Sequence, residues 1–266
     1  MNGTQMFYRE VKPASDLADI VMSFWEFVVS SDAPEAIQHE IFPDGCVSVF
    51  YLRNLNRNLH HLGISGLQLE TVTKIVSIGD TLWGMRISPA ACSAILNSDP
   101  AIIGVKGGAA ATLFPHLTHG LSEMFAAAKS LDDAILIYER RLRDVVANYG
   151  TGDPEIAKAV RSIEDARGEV RVDELALSLA LSSRQFQRRF KASSGLNPKQ
   201  YIRARRIRSA AVSLVEKQDQ NWAHRAAELG FADQAHLTHE FISLTKRSPN
   251  SFAEKVGKIQ HGNLVK

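Results

Sequence analysis

One arrangement of capping, core and helix-breaking residues occurs twice in the last part of the chain, offset by 51 positions. Ser182 pairs with Asp233, Phe186 with Leu237, Phe190 with Phe241, Pro198 with Pro249, Tyr201 with Phe252 and Ala176 with Ala227. A pattern that returns in one order is one supersecondary unit used twice. In the first copy Val172, Leu175, Ala176 and Leu179 share a helical face. Ser182 then interrupts, with Gln185 three residues on, the spacing of a capping box. A second helix starts there, buries Phe186 and Phe190, and runs toward Gly195, a natural stop. Helix, tight turn, helix is the expected plan of each copy.

The polar face of that second helix carries the chemistry. Arg184, Gln187, Arg188 and Lys191 fall at i, i+3, i+4 and i+7, so they form one stripe of long donors opposite Phe186 and Phe190. Arginine can bond guanine through two donors, glutamine can do the same to adenine, and cations neutralise phosphates. A solvated charged face has the same composition, and the surroundings decide between the two. No acidic residue lies between Leu175 and Val215, whereas Arg184, Arg188, Arg189, Lys191, Lys199, Arg203, Arg205, Arg206 and Arg208 are all basic. That one-signed field favours a polyanion. Residues 1–152 hold 11 Lys+Arg against 16 Asp+Glu, and residues 153–266 hold 20 against 13. A basic module is thus attached to an acidic one. Pro198 opens a helix expected to run to about Lys217, roughly 30 Å long, close to the ~34 Å between successive major-groove faces.

The segment from about Val172 to Phe252 resembles the DNA-binding domain of the AraC/XylS family of bacterial transcription regulators, through "SSRQFQRRFKASSGLNPKQYIRARRIRSAA" and "AAELGFADQAHLTHEFISLTKRSP". The resemblance implies a seven-helix domain with two helix-turn-helix units and double-stranded DNA as partner. Arg184, Gln187 and Arg188 would lie on the first reading helix and Gln234 and His239 on the second. Arg189, Lys191, Lys199 and Thr238 complete the expected DNA-binding set. In the second copy Ala235, Thr238, His239 and Ile242 replace Arg184, Gln187, Arg188 and Lys191, Glu240 adds a negative charge, and Lys246 stands where the first copy has Gly195. The first unit is therefore expected to dominate binding.

Residues 38–52 and 72–87 read as short strands, with turns at Pro43-Asp44-Gly45 and Gly79-Asp80. Helices are expected over Asp16–Val28, Leu113–Lys129 and Asp132–Val146, followed by a Gly/Asp linker at Asn148–Pro154. "YREVKPASDLADIVMSFWEF", "FPDGCVSVFYL" and "GMRISPAACSAIL" resemble the β-rich regulatory domain found on a branch of these regulators, which implies a cupin-like small barrel. The expected fold is α+β: residues 1–150 form a barrel with helices, for ligand sensing or dimerisation. Residues 151–266 form an all-α domain with two helix-turn-helix units joined by a long helix.

Catalytic signatures are sparse. His39, His60 and His61 lack the paired-His-plus-carboxylate pattern of a metal-dependent cupin, and His236 and His239 lack a third ligand, so neither metal nor cofactor is expected. Cys46 and Cys92 fit no motif and read as buried thiols. Trp25, Phe50, Tyr51, Trp83 and Arg86 are candidates to line an effector pocket with one anion-binding group, the alternative being core aromatics and a structural arginine. The N-terminus lacks an apolar signal region and no run nears 18 apolar residues, which points to the cytoplasm and away from membranes. The expectation is a non-enzymatic, DNA-binding transcription regulator, classed as an activator. Its expected partners are RNA polymerase, an unnamed small-molecule effector and a homodimer mate. The alternatives are a cupin-like enzyme or metabolite binder with an attached basic module, and an architectural DNA binder without effector.

Overall fold

The computed structural model describes residues 6–31, 33, 35–67, 69–104, 107–216, 221–257 and 259–265. In chain order, the first part comprises β1 (Met6–Val11), β2 (Val21–Val29), β3 (Ala36–Ile41), β4 (Val47–Asn54), β5 (Leu59–Ser65), β6 (Val72–Ser77) and β7 (Thr81–Ile87). It continues with α1 (Cys92–Leu96), β8 (Gly108–Ala109), α2 (Ala110–Leu113), α3 (Pro115–Thr118), α4 (Leu121–Ala127) and α5 (Leu131–Tyr149). The second part runs α6 (Pro154–Asp165), α7 (Val172–Ser178), α8 (Ser183–Ser194), α9 (Pro198–Glu216), α10 (Trp222–Glu228), α11 (Gln234–Thr245), α12 (Pro249–Val256) and β9 (Ile259–His261). Seven helices, α6 to α12, make up the second part among the described residues.

A seven-stranded sheet has the order β8-β5-β4-β7-β2-β1-β9, and β3 pairs with β6 in a separate ribbon. Alternation along the strands divides the large sheet into two apolar faces. Phe24, Val49, Tyr51, Trp83 and Met85 pack on Leu117, Phe125, Leu131, Tyr138 and Leu142 of the helices. On the other face Met6, Phe27 and Val29 meet Val76 and Ile37 of the ribbon, with Tyr8, Trp25 and Leu82 around them. Sheet and ribbon thus enclose a small barrel-like interior, helices cover its outside, and the whole is α+β.

Several expected elements are corrected. Asp16–Val28 is not a helix: Ser15–Leu17 makes one 3-10 turn and Val21–Val29 is the strand β2, paired with β1 and β7. A strand apolar on both faces reads as a continuous apolar run, so its period of two is hidden. The expected helix Leu113–Lys129 is broken into α2, α3 and α4, because Pro115 opens a new helix and Gly120 sits at φ +73°. Helix α5 begins at Leu131, one residue before the expected start, under a Ser130–Asp133 capping box, and extends to Tyr149. Helix α9 ends at Glu216; the expected terminus Lys217 lies outside the described residues.

The Gly/Asp segment after α5 is packed. A Cβ on Gly152, at φ +95°, would approach the Ala90 carbonyl oxygen to 2.2 Å. Asp153 then caps α6 by accepting from the Glu155 and Ile156 amides at 3.0 and 3.3 Å. Cys46 and Ala90 of the first part share a core with Ile156, Ile163, Phe186, Phe190 and Tyr201. A second helical core joins Ile207, Leu214, Leu237, Phe241 and Phe252, with Phe42 of the first part against it. The last strand, β9, returns to pair in parallel with β1, Met6 opposite Ile259 and Tyr8 opposite His261.

Candidate nucleic-acid interface

The helices α8 and α11 are each built by local chemistry. Ser182 Oγ accepts from the Gln185 amide at 3.3 Å and Gln185 Oε1 accepts from the Ser182 amide at 3.0 Å, so both ends of the capping box are closed. In the second copy Asp233 accepts from the His236 amide at 2.7 Å and α11 starts there. The far ends match too. Ser194 Oγ donates to the Phe190 carbonyl at 2.7 Å and accepts from the Leu196 amide at 3.1 Å. Thr245 Oγ1 does the same with Phe241 at 2.7 Å and Arg247 at 3.2 Å.

The repeat nevertheless slips by one residue in its turn. Leu181 N donates to Ala176 O at 2.9 Å and Phe231 N donates to Ala226 O at 2.9 Å; Ala180 and Gly230 hold the left-handed position at φ +53° and +68°. Buried Ala226, not exposed Ala227, is therefore the partner of Ala176. One extra residue, Ala232, precedes the second cap and restores the 51-residue offset from there on.

Lys246 takes the left-handed cap of α11 at φ +59°, as Gly195 does for α8 at φ +79°. The missing glycine thus changes the conformational cost of the cap and leaves its shape intact. A side chain at such a φ costs on the order of 1 kcal/mol.

Arg184, Gln187, Arg188, Lys191 and Lys199 are exposed, and among the described residues no internal hydrogen bond or ion pair holds any of them. The other five basic residues of the acid-free stretch are engaged. Arg189 makes two bonds to Asp153 at 2.7 and 2.6 Å. Arg203 bonds Glu240 and Ser243 of α11, both at 2.6 Å. Arg205 pairs with Glu164, and Arg206 bonds the Gly230 carbonyl at 2.7 Å over the Phe231 ring. Arg208 meets Glu10 of β1 at 2.7 Å. The expected field of nine cations is reduced accordingly: four have no internal partner among the described residues, because acids distant in sequence hold Arg189, Arg203, Arg205 and Arg208, and the Gly230 carbonyl and Phe231 ring hold Arg206. Arg189, included in the expected DNA-binding set, is on the inner edge of α8.

On α11, Gln234, Ala235 and His239 are exposed, Thr238 is half-buried, and Ile242 is 42% exposed on the same stripe. Glu240 lies beside the stripe in its bridge to Arg203. His236 sits under the cap, its Nδ1 3.3 Å from the Ala232 amide, which separates it from His239 in role.

The expected effector residues do not gather in one pocket. Trp83 is buried on the helix side of the sheet, where its indole donates to Glu26 at 2.9 Å and Tyr51 stacks beside it. Trp25 and Phe50 lie on the barrel side, their rings 6.5 Å apart. Arg86, also on that side, donates to Glu10 at 2.6 Å, Tyr8 at 2.7 Å and Ser23 at 3.1 Å, and bonds Asp44. Sequence reasoning missed Glu10, the centre of this knot. Burial opposes its ionisation, yet Arg208 and Arg86 outweigh it and hold the carboxyl well below the usual range. Val265 N adds a bond to it at 2.9 Å. Burial pushes the Cys46 and Cys92 thiols up, so both stay protonated.

Residues 175–255 match the family model described as a helix-turn-helix domain. This is an AraC-type helix-turn-helix domain. The AraC-type domain makes the chain a DNA-binding transcription regulator. Residues 9–103 match a domain of unknown function, DUF6597. No curated protein matches the chain. Among solved structures, ToxT from Vibrio cholerae O395 is 12% identical over 94% of this chain and 96% of its own, with TM-score 0.42. The C-terminal domain of AraT, a response regulator from Geobacillus stearothermophilus, is 19% identical over 39% of this chain and 86% of its own, with TM-score 0.37. The DNA-binding domain of AdpA, solved with a target DNA, is 26% identical over 40% of this chain and 94% of its own, with TM-score 0.35. Among the described residues no helix is long and apolar enough to cross a membrane.

Proposed function

We propose that α8 supplies the main base-reading face of this regulator and α11 a weaker second one, while residues 1–150 act as a small-molecule-sensing or dimerising unit. The observation that carries this is selective availability. In a stretch where most arginines are tied to acids or carbonyls, an exposed face of α8 without internal partners among the described residues carries Arg184, Gln187, Arg188 and Lys191. Side chains held ready in a duplex groove have that character, with base contacts setting preference and phosphate contacts setting affinity.

Any effector on the barrel side meets the Trp25 and Phe50 rings directly. An anion reaches Arg86 only by displacing the carboxylates of Glu10 and Asp44. RNA polymerase and a second copy of the chain complete the proposed set of partners.

The test is a pair of substitutions read on specific and random duplexes. Arg188→Ala should cost about 1–3 kcal/mol on the specific site and relax preference at one base pair, whereas Lys199→Ala should weaken all sequences alike. Equal losses on both duplexes for Arg188→Ala would remove the base-reading role.

A further inference from the structure

The connection between β5 and β6 touches both reading helices, and at equivalent places. Leu67 packs against the α8 cap so closely that a Cβ on Gly195 would come within 2.5 Å of its Cδ1 and within 3.3 Å of Pro100 and the Ala101 amide. Four residues further on, Thr71 Oγ1 donates to the Thr245 carbonyl of α11 at 2.9 Å. Glu70 meets Lys246 Nζ at 3.2 Å. Gly195 and Lys246 are counterparts in the repeat, as are Ser194 and Thr245. The carbonyls of a last helical turn lack intrahelical partners, so a hydroxyl offered to one of them fixes that helix end. Glu40 of β3 adds a third hold by bonding Arg247 just beyond the α11 cap.

The helix α9 also bridges the two units: Tyr201 and Ile202 pack with Phe186 and Phe190, Ile207 and Leu214 pack with Leu237 and Phe241, and Arg203 bonds Glu240 and Ser243 of α11. The β5–β6 connection adds a second bridge, from outside, at the two caps. A cleft of about 410 Å3 opens between Leu67, Leu69 and the α8–α9 turn, so the connection is not embedded in the helices it touches.

We infer that Leu67 and Thr71, with a weaker exposed contact from Glu70, are positioning residues for DNA recognition: they brace the C-terminal caps of α8 and α11 and so set the half-site spacing that the protein accepts. This rests on the reading of α8 and α11 as DNA-reading helices. One inserted base pair moves a half-site by about 3.4 Å and turns it by about 36°. A braced pair of helices rejects that change; an unbraced pair follows it.

The experiment uses duplexes selected from a random pool by the full-length protein, then altered by inserting one base pair between the two protected half-sites. The wild type should lose on the order of tenfold or more in affinity on the altered duplex. The triple variant Leu67→Ala, Glu70→Gln, Thr71→Val should lose no more than about threefold while binding an isolated α8 half-site as the wild type does. Thr71→Ser, which keeps the hydroxyl, should retain the wild-type spacing penalty, a result that general loosening does not produce. A full spacing penalty in the folded triple variant overturns the inference. Protection of a single half-site by the wild type also overturns it while leaving the DNA-reading role of α8 intact, and absence of any selected sequence removes that role itself.

Discussion

The two caps show what one residue changes. Gly195 and Lys246 close their helices with the same left-handed turn, and only the second carries a side chain through it. Replacing Lys246 by glycine should stabilise the protein by about 0.5–1 kcal/mol, since the lost contact to Glu70 is solvent-exposed and weak. Chemical denaturation of the two proteins measures this, and a loss of stability would mean that the Lys246 contacts outweigh the backbone cost. The same comparison shows what the sequence made legible. Ser182, Asp233 and the paired phenylalanines were readable because caps and i,i+4 faces are local. The slip at Ala232 was not, since nothing in the sequence says on which side of a turn an extra residue is inserted. The engagement of Arg189, Arg203, Arg205 and Arg208 was equally hidden, because their partners Asp153, Glu240, Glu164 and Glu10 are brought to them only by the fold.

At the level of elements, α8 has an outer and an inner basic edge, and salt dependence should separate them. Lys191→Ala should lower the slope of affinity against salt by about one phosphate, whereas Arg189→Ala should leave the slope unchanged, its charge being already matched by Asp153. Equal slopes for the two variants would place Arg189 on the DNA. Strand β3 offers a second test. Burial first, and the Lys255 charge next, lower the His39 pKa from 6.5 to about 4, with Glu40 pulling the other way and the Phe27 ring 4.4 Å away. In that window the unfolded chain binds a proton that the folded one refuses, so stability falls as pH drops from about 6.5 to about 4. His39→Gln should remove up to about 1.4 kcal/mol per pH unit of that slope, read from urea midpoints across the window. Strand β2 explains why this half of the molecule was harder to read. Phe24 faces the helices and Trp25 the barrel, so apolar residues on both faces, interrupted only by Ser23 and Glu26, imitate a helix as readily as a strand.

Across the whole molecule the sheet-rich and helical parts are joined by cores as well as by a chain segment. Cys46 and Ala90 pack among the residues of the first helical unit, and Glu10 pairs with Arg208. We expect residues 151–266 to fold alone and bind the same site, with lower stability than the full chain because Tyr201 and Ile202 lose that cover. Thermal unfolding and DNA binding of the fragment check this, and an unfolded fragment would count against a boundary near residue 150. The strand β9 has a consequence of another kind. A ribosome delivers β1 long before β9, so the outer edge of β1 stands without its neighbour until Ile259 has been made. Throughout that time it is an open template for any passing strand, which makes the nascent chain more vulnerable to misassembly than the finished one.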